Sequence, residues 1–235
     1  MMKKIHTYGC SFSFPFWINE EESFTYLLAK YMGCEYNNRS FPALCHNEIF
    51  HRLLSDINTF KKDDLIIYQF TAGNREGFMV NNSFYYSSAG IGETLEDTVR
   101  VMNQWGGGRE KYPFTDDKIL SLMSFVNDWS KETLFYKFNR VNDTLKFLEK
   151  TIGIRYVYLF LDDNFHEFID NDKTVTFLLP SNEYTPSIMR WATESKITLS
   201  DSRNDVDPQD KHPNHIAHKL LSDLISLKIN KNKLI

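Results

Sequence analysis

The chain has 235 residues and a formal net charge of −4. That length suits one large α/β domain rather than two small ones, and the charge gives no general electrostatic pull toward nucleic acid. Cys10, Cys34 and Cys45 are odd in number and lack paired spacing, which argues against both a disulfide framework and a zinc site. Met1-Met2-Lys3-Lys4 is basic but is not followed by the apolar run of a signal peptide. Without about 18 consecutive apolar residues, nothing in the sequence is expected to span a membrane. The expectation is a cytoplasmic protein with no cofactor, no metal, and no nucleic-acid or membrane partner. Phe and Tyr number 19 and 12, more than a core of this size needs, so some of them should line a groove or an interface.

In chain order, Lys3 to Tyr8 suits a short strand, and Gly9 breaks it before the small polar run Cys10-Ser11-Phe12-Ser13. A strand that stops at Gly-X-Ser puts a hydroxyl at the C-terminal edge of a sheet, where α/β folds collect ligands. The same three residues also fit an ordinary strand-to-loop turn. Glu20-Glu21-Glu22 opens a helix through Tyr31, with Phe24, Leu27, Leu28 and Tyr31 on one face, and Gly33 closes it. Cys34 to Asn37 reads as a second strand. His46 to Ile57 reads as a helix burying Ile49, Phe50, Leu53, Leu54 and Ile57. The unbroken run Leu65-Ile66-Ile67-Tyr68-Gln69-Phe70 is a central strand covered on both faces. This β-α-β-α-β order belongs to a parallel sheet wrapped by helices.

From about 71 to 131 the pattern is that of an enlarged insertion, with a hairpin around Asn81-Asn82. Gly106-Gly107-Gly108 lacks the Lys-Ser/Thr ending of a phosphate loop. Asp116 to Thr151 is helical in two pieces that break near Ser130; Phe138, Val141, Leu145 and Leu148 form the stripe of the second. Ile154 to Leu161 is the next strand, with Asp162-Asp163-Asn164 at its end. Lys196-Ile197-Thr198-Leu199 supplies a fifth short strand. A polar run then leads to Asp210-Lys211-His212-Pro213. The last helix places Pro213 in its first turn and Ile216, Leu220, Leu221, Leu224 and Ile225 toward the core. The Lys228 to Lys233 tail reads as a frayed, solvated end.

Gly9-Cys10-Ser11 after the first strand, together with Asp210-Lys211-His212-Pro213 before the last helix, resembles the SGNH (GDSL-like) hydrolase family. The resemblance implies a flavodoxin-like three-layer α/β/α sandwich, here with a mostly parallel sheet of about five strands, over nearly the whole chain. It also implies a serine esterase that removes a small acyl group such as acetyl, with a small-molecule or carbohydrate ester as substrate. An O-acyltransferase using the same residues is the close variant, and a binding or structural module that keeps only the fold is the second class. On the esterase reading Ser11 is the nucleophile and His212 the base. A serine hydroxyl needs an imidazole to take its proton, and the imidazole needs a carboxylate to orient it. The family sets that Asp three residues before His, where this chain has Gln209. Asp210, two before, takes the role, and Asp207, five before, is held in reserve. The family's oxyanion donors are the Ser N–H, a Gly N–H after the second strand and an Asn after the third. Here Pro42-Ala43-Leu44-Cys45-His46-Asn47 has no glycine, so Ala43, Leu44 or Cys45 would donate instead, with Leu44 the working candidate. Thr71-Ala72-Gly73-Asn74-Arg75-Glu76 matches Gly-X-Asn-Asp loosely and offers Asn74.

Other residues carry competing readings. His212, His215 and His218 recur every third residue, whereas zinc-binding helices use i, i+4, so His215 and His218 read as exposed helix positions. Cys10 reads as a buried apolar filler rather than a thiol nucleophile. Asp162, Asp163 and Asp172 read as ordinary acidic loop positions. Phe14, Phe16 and Trp17 wall either a pocket or the core.

Overall fold

The structure is a computed structural model that describes residues 2–15, 17–42, 44–71, 77–80, 83–86, 131–203, 205, 207 and 210–231. Its centre is a four-stranded parallel sheet of β1 (Lys4–Tyr8), β2 (Glu35–Asn38), β3 (Leu65–Phe70) and β6 (Arg155–Phe160), in the order β2-β1-β3-β6. The register sets Ile5 beside Leu65 and Leu65 beside Arg155. Every residue of β3 is buried, as the unbroken apolar run requires of a strand with helices on both faces.

Strand alternation sorts the side chains of β1. The Thr7 hydroxyl meets that of Thr25 at 3.0 Å, within α1 (Phe24–Met32). Tyr8 points the other way, and its hydroxyl donates to Asp56 Oδ2 at 2.9 Å, just past α2 (His46–Ser55). The Thr7–Thr25 and Tyr8–Asp56 contacts set α1 and α2 on opposite faces of the sheet, and α3 (Lys131–Ile152) lies on the α2 side. Arg140 of α3 confirms the pairing of the last two: it lies 4.4 Å from the Phe50 ring centroid and donates to Asn47 Oδ1 at 2.9 Å. The C-terminal helix α6 (His215–Lys231) packs on α1. Between α3 and α6 come the short hairpin β7 (Phe177–Leu178) and β8 (Tyr184–Thr185), α4 (Ile188–Glu194) and α5 (Leu199–Ser202). The core under α3 is aromatic: Phe70 stacks 5.1 Å from Phe160 and meets Phe138 tilted at 5.4 Å, and a fully buried Phe contributes roughly 2–3 kcal/mol of hydrophobic stabilisation.

Several expectations are corrected. Among the described residues the parallel sheet has four strands, not five. The run expected as the fifth turns at Thr198, whose backbone N–H and hydroxyl both donate to Asp201 Oδ2 (2.9 and 2.6 Å) and cap α5; only one bridge forms, from Thr198 to Pro213. The helix expected from Glu20 begins at Phe24, because Ser23 accepts from the Tyr26 N–H and leaves Glu20–Glu22 as a separate 3-10 turn. Tyr31 and Leu54 are exposed. Pro213 precedes the cap of α6 rather than entering its first turn. The buried face of α6 is Ala217, His218, Leu221, Ser222, Ile225, Ser226 and Ile229, so Ile216 and Leu220 face outward. The helix continues through Lys231, and the tail is structured that far. Gly33 does close α1, in the left-handed region at φ 64°, and β4 (Gly77–Val80) with β5 (Ser83–Tyr86) forms the expected hairpin. The rest of the 71–131 insertion, including Gly106 to Gly108 and the helix expected from Asp116, lies outside the described residues.

Candidate active site

The strand order reverses direction between β1 and β3, and in open parallel sheets ligands gather in the crevice at such a point. Ser11 stands there, two residues past Gly9, on a tight turn. The Cys10 carbonyl accepts from the N–H groups of Ser13 and Phe14 at 3.0 and 3.1 Å. Ser11 is buried, with 5% of its surface accessible.

The chain brings His212 to Ser11 from 201 residues away: His212 Nε2 lies 2.8 Å from Ser11 Oγ. On the other side of the ring, Nδ1 lies 2.6 Å from Asp210 Oδ1. That oxygen also accepts the His212 backbone N–H at 2.8 Å. One carboxylate oxygen thus holds both the backbone and the ring of a residue two positions on, which is how a two-residue spacing aligns an imidazole. An ionised carboxylate can only accept, so Nδ1 carries the ring proton and Nε2 presents its lone pair to the serine hydroxyl. The Phe12 ring covers the imidazole, 4.8 Å away. The His212 carbonyl accepts from Leu199 N–H at 2.8 Å, and Asn214 Nδ2 donates to the Thr198 carbonyl at 3.1 Å. These bonds moor the Asp210–Asn214 segment to the start of α5.

The remaining expected residues are placed as follows. Asp207 is exposed and accepts the Asp210 N–H at its carbonyl (2.8 Å); the carboxylate hydrogen-bonded to the His212 ring is that of Asp210. Among the described residues, the backbone N–H groups of Ser11 and Phe12 have no protein acceptor. Leu44 is buried just before Cys45, the N-cap of α2, and its N–H likewise has no acceptor among the described residues. Ala43 and Asn74 lie outside the described residues, as does Phe16. Phe14 packs on Phe41 at 5.7 Å. Trp17 is 62% exposed with φ 60°, and the Arg203 guanidinium stands 6.0 Å from its ring centroid. A cavity of about 440 Å³ opens beside Trp17, Glu22, Arg203, Asn214 and His215, but Ser11, Asp210 and His212 do not line it. Cys10, Cys34 and Cys45 are not joined in disulfides, and Cys10 is fully buried.

His215 is exposed as expected, but His218 is buried. Its Nδ1 accepts the Phe24 N–H at 3.2 Å. Burial, and then the nearby His212, push its pKa down to about 3, so at neutral pH it is an uncharged acceptor. Three residues that shape the site were missed in the sequence. Asn38 Nδ2 donates to the Ser13 carbonyl at 3.0 Å. Asn214 caps α6, accepting at Oδ1 from Ile216 and Ala217 N–H (3.0 and 3.1 Å). Gln69 accepts from Cys10 N–H and the Ser13 hydroxyl. Of these, Gln69 had a legible signal, a polar residue inside an otherwise apolar central strand.

No family model matches the chain, and no curated protein matches it. Solved structures similar to it include the following three. One, described as a lipolytic protein of the G-D-S-L family from Desulfitobacterium hafniense DCB-2, is 14% identical with a TM-score of 0.40, over 96% of this chain and 99% of that one. The psychrotrophic esterase EstA from Pseudoalteromonas sp. is 12% identical with a TM-score of 0.40, over 97% of each chain. A member of the lipolytic protein G-D-S-L family from Veillonella parvula DSM 2008 is 10% identical with a TM-score of 0.37, over 97% of each chain. Likeness at this level carries no chemistry by itself, and what this chain can do rests on its own side chains.

Proposed function

We propose that this protein is a serine hydrolase of the SGNH type that cleaves a small acyl ester. The observation that carries the reading is the relay from Ser11 Oγ to His212 Nε2 (2.8 Å) and from His212 Nδ1 to Asp210 Oδ1 (2.6 Å). Both distances fall in the range at which protons transfer between positioned groups.

In the proposed reaction His212 Nε2 takes the proton from Ser11 Oγ as that oxygen attacks the ester carbonyl. Asp210 stabilises the imidazolium without itself being protonated. The tetrahedral oxyanion needs preorganised N–H donors; the Ser11 N–H and the Leu44 N–H, which have no acceptor among the described residues, are the proposed ones, and Asn74 is a further candidate. Collapse expels the alcohol, which takes the proton back from His212. A water deprotonated by the same nitrogen then releases the acid and restores Ser11.

Fluorophosphonates react with activated serines, and p-nitrophenyl acetate reports acyl transfer. Wild-type protein is expected to be labelled at Ser11 and to release p-nitrophenol. Ser11→Ala is expected to abolish labelling, and Ser11→Ala and His212→Ala should each cut hydrolysis by on the order of 10³-fold or more. Equal rates from the wild type and both variants would refute the reading.

A further inference from the structure

The turn that carries Ser11 is shaped from β3. Gln69 is fully buried there, one strand away from β1. Its Oε1 accepts the Ser13 hydroxyl at 2.6 Å and the Cys10 N–H at 3.2 Å, and its Nε2 donates to Cys10 Sγ at 3.3 Å. It also packs against Gly9: a methyl group there would stand 2.5 Å from Gln69 Oε1 and 2.9 Å from its Cβ. A single side-chain amide therefore engages Gly9, Cys10 and Ser13, on both sides of Ser11, without touching Ser11 itself.

We propose that Gln69 is the positioning residue of the nucleophile turn, holding Ser11 Oγ on His212 Nε2 through its acceptor oxygen. The inference rests on reading Ser11 as the nucleophile. The physical reason is competition for donors. With Cys10 N–H taken by Gln69, and Ser13 and Phe14 N–H taken by the Cys10 carbonyl, the N–H groups of Ser11 and Phe12 are left without an acceptor among the described residues. Those are the amides a developing oxyanion beside Ser11 would need. Losing the Gln69 oxygen orphans a buried N–H and a buried O–H. Buried orphans are costly, so the turn would shift to find new acceptors and carry Ser11 with it. Sulfur is a weak acceptor, so the Nε2 contact to Cys10 is the minor part of the arrangement.

The test compares Gln69→Met, which keeps the volume but removes the oxygen, with Gln69→Glu, which keeps an oxygen acceptor but buries a carboxyl group. If the oxygen positions the turn, Glu outperforms Met; if Gln69 only fills space, Met outperforms Glu. Each full-length variant is titrated with a fluorophosphonate probe, and the second-order rate is expressed per folded molecule from a denaturant melt. Gln69→Met is expected to lose about ten-fold or more in labelling rate and in kcat for p-nitrophenyl acetate, with KM and the shape of the pH profile unchanged, because small misplacements of a nucleophile cost about that much. Gln69→Glu is expected to stay within about three-fold of wild type, and Ser13→Ala, which removes the 2.6 Å bond from the other end, to lose about three-fold or more. Met matching or exceeding Glu, or Ser13→Ala reacting at the wild-type rate, overturns the proposal, and the Ser13 variant decides the matter if neither Gln69 variant folds. Failure of the underlying reading looks different: the unmutated chain and Ser11→Ala would then be labelled alike, and the proposal would fall with it.

Discussion

Asp210 lies two residues before His212, where the family that the sequence resembles has three, and its geometry shows how the shorter spacing can hold the ring. Oδ1 accepts both the His212 backbone N–H and the ring Nδ1, so the shorter span closes a compact turn that fixes the imidazole from two points. Asp210→Asn is expected to lower kcat for p-nitrophenyl acetate by about 10²–10⁴-fold, since an amide can present an N–H to Nδ1 and favour the wrong tautomer. Asp207→Asn should remain within about two-fold of wild type, because Asp207 is exposed and the ring Nδ1 is already held by Asp210. Steady-state kinetics on the two variants distinguishes the carboxylates that the sequence left open. At this scale Ser11 and His212 were legible because a hydroxyl after the first strand and an imidazole before the last helix are chemically conspicuous. Asn38 was not picked out, because an amide becomes informative only when its hydrogen-bond partners are known; Gln69 stood out as a polar residue in an apolar strand, but which turn it bonds to was not legible.

Among the elements, α6 matters most to the site, since its start is joined directly to the His212 segment. Asn214 fills two roles there. Its Oδ1 caps the helix, and its Nδ2 ties the segment to Thr198. Asn214→Ala is expected to destabilise the fold by about 1–2 kcal/mol, the usual cost of a lost N-cap, read as a drop in the denaturant midpoint, and to slow fluorophosphonate labelling as His212 loses its mooring. Helix existence was legible throughout, but the faces and ends were less so. In α6 the apolar positions Ile216 and Leu220 suggested a stripe one step away from the true one, because the buried face includes polar residues, His218 and Ser222. In α1 three consecutive glutamates suggested a start that Ser23 pre-empts by capping.

Across the whole molecule, two of the buried histidines, His218 and His6, tie stability to pH. His218 has its pKa pushed down to about 3 by burial, and His6 is lowered mainly by burial, with Asp64 opposing. A histidine depressed in the folded state binds fewer protons than in the unfolded chain between its folded value and its ordinary one near 6.5. The folded state should therefore keep its full stability above about pH 6.5 and lose it progressively as pH falls. His218 alone accounts for roughly 4 kcal/mol by pH 3. Urea midpoints measured from pH 7 to pH 4 should fall, and His218→Gln should flatten much of that slope, leaving the part due to His6; an unchanged slope would contradict the burial argument. The sequence by itself determined the parallel α/β architecture, because unbroken apolar strands alternating with amphipathic helices have few other ways to bury their surfaces. It also marked the two chain ends that carry hydroxyl and imidazole. Only the tertiary structure decided that four strands pair among the described residues, that Asp210 meets the ring, that His218 turns inward, and that Gln69 bonds to the serine turn. Each of those outcomes depends on which groups from distant parts of the chain lie within hydrogen-bonding distance, and local pattern cannot encode a distance between residues 201 positions apart.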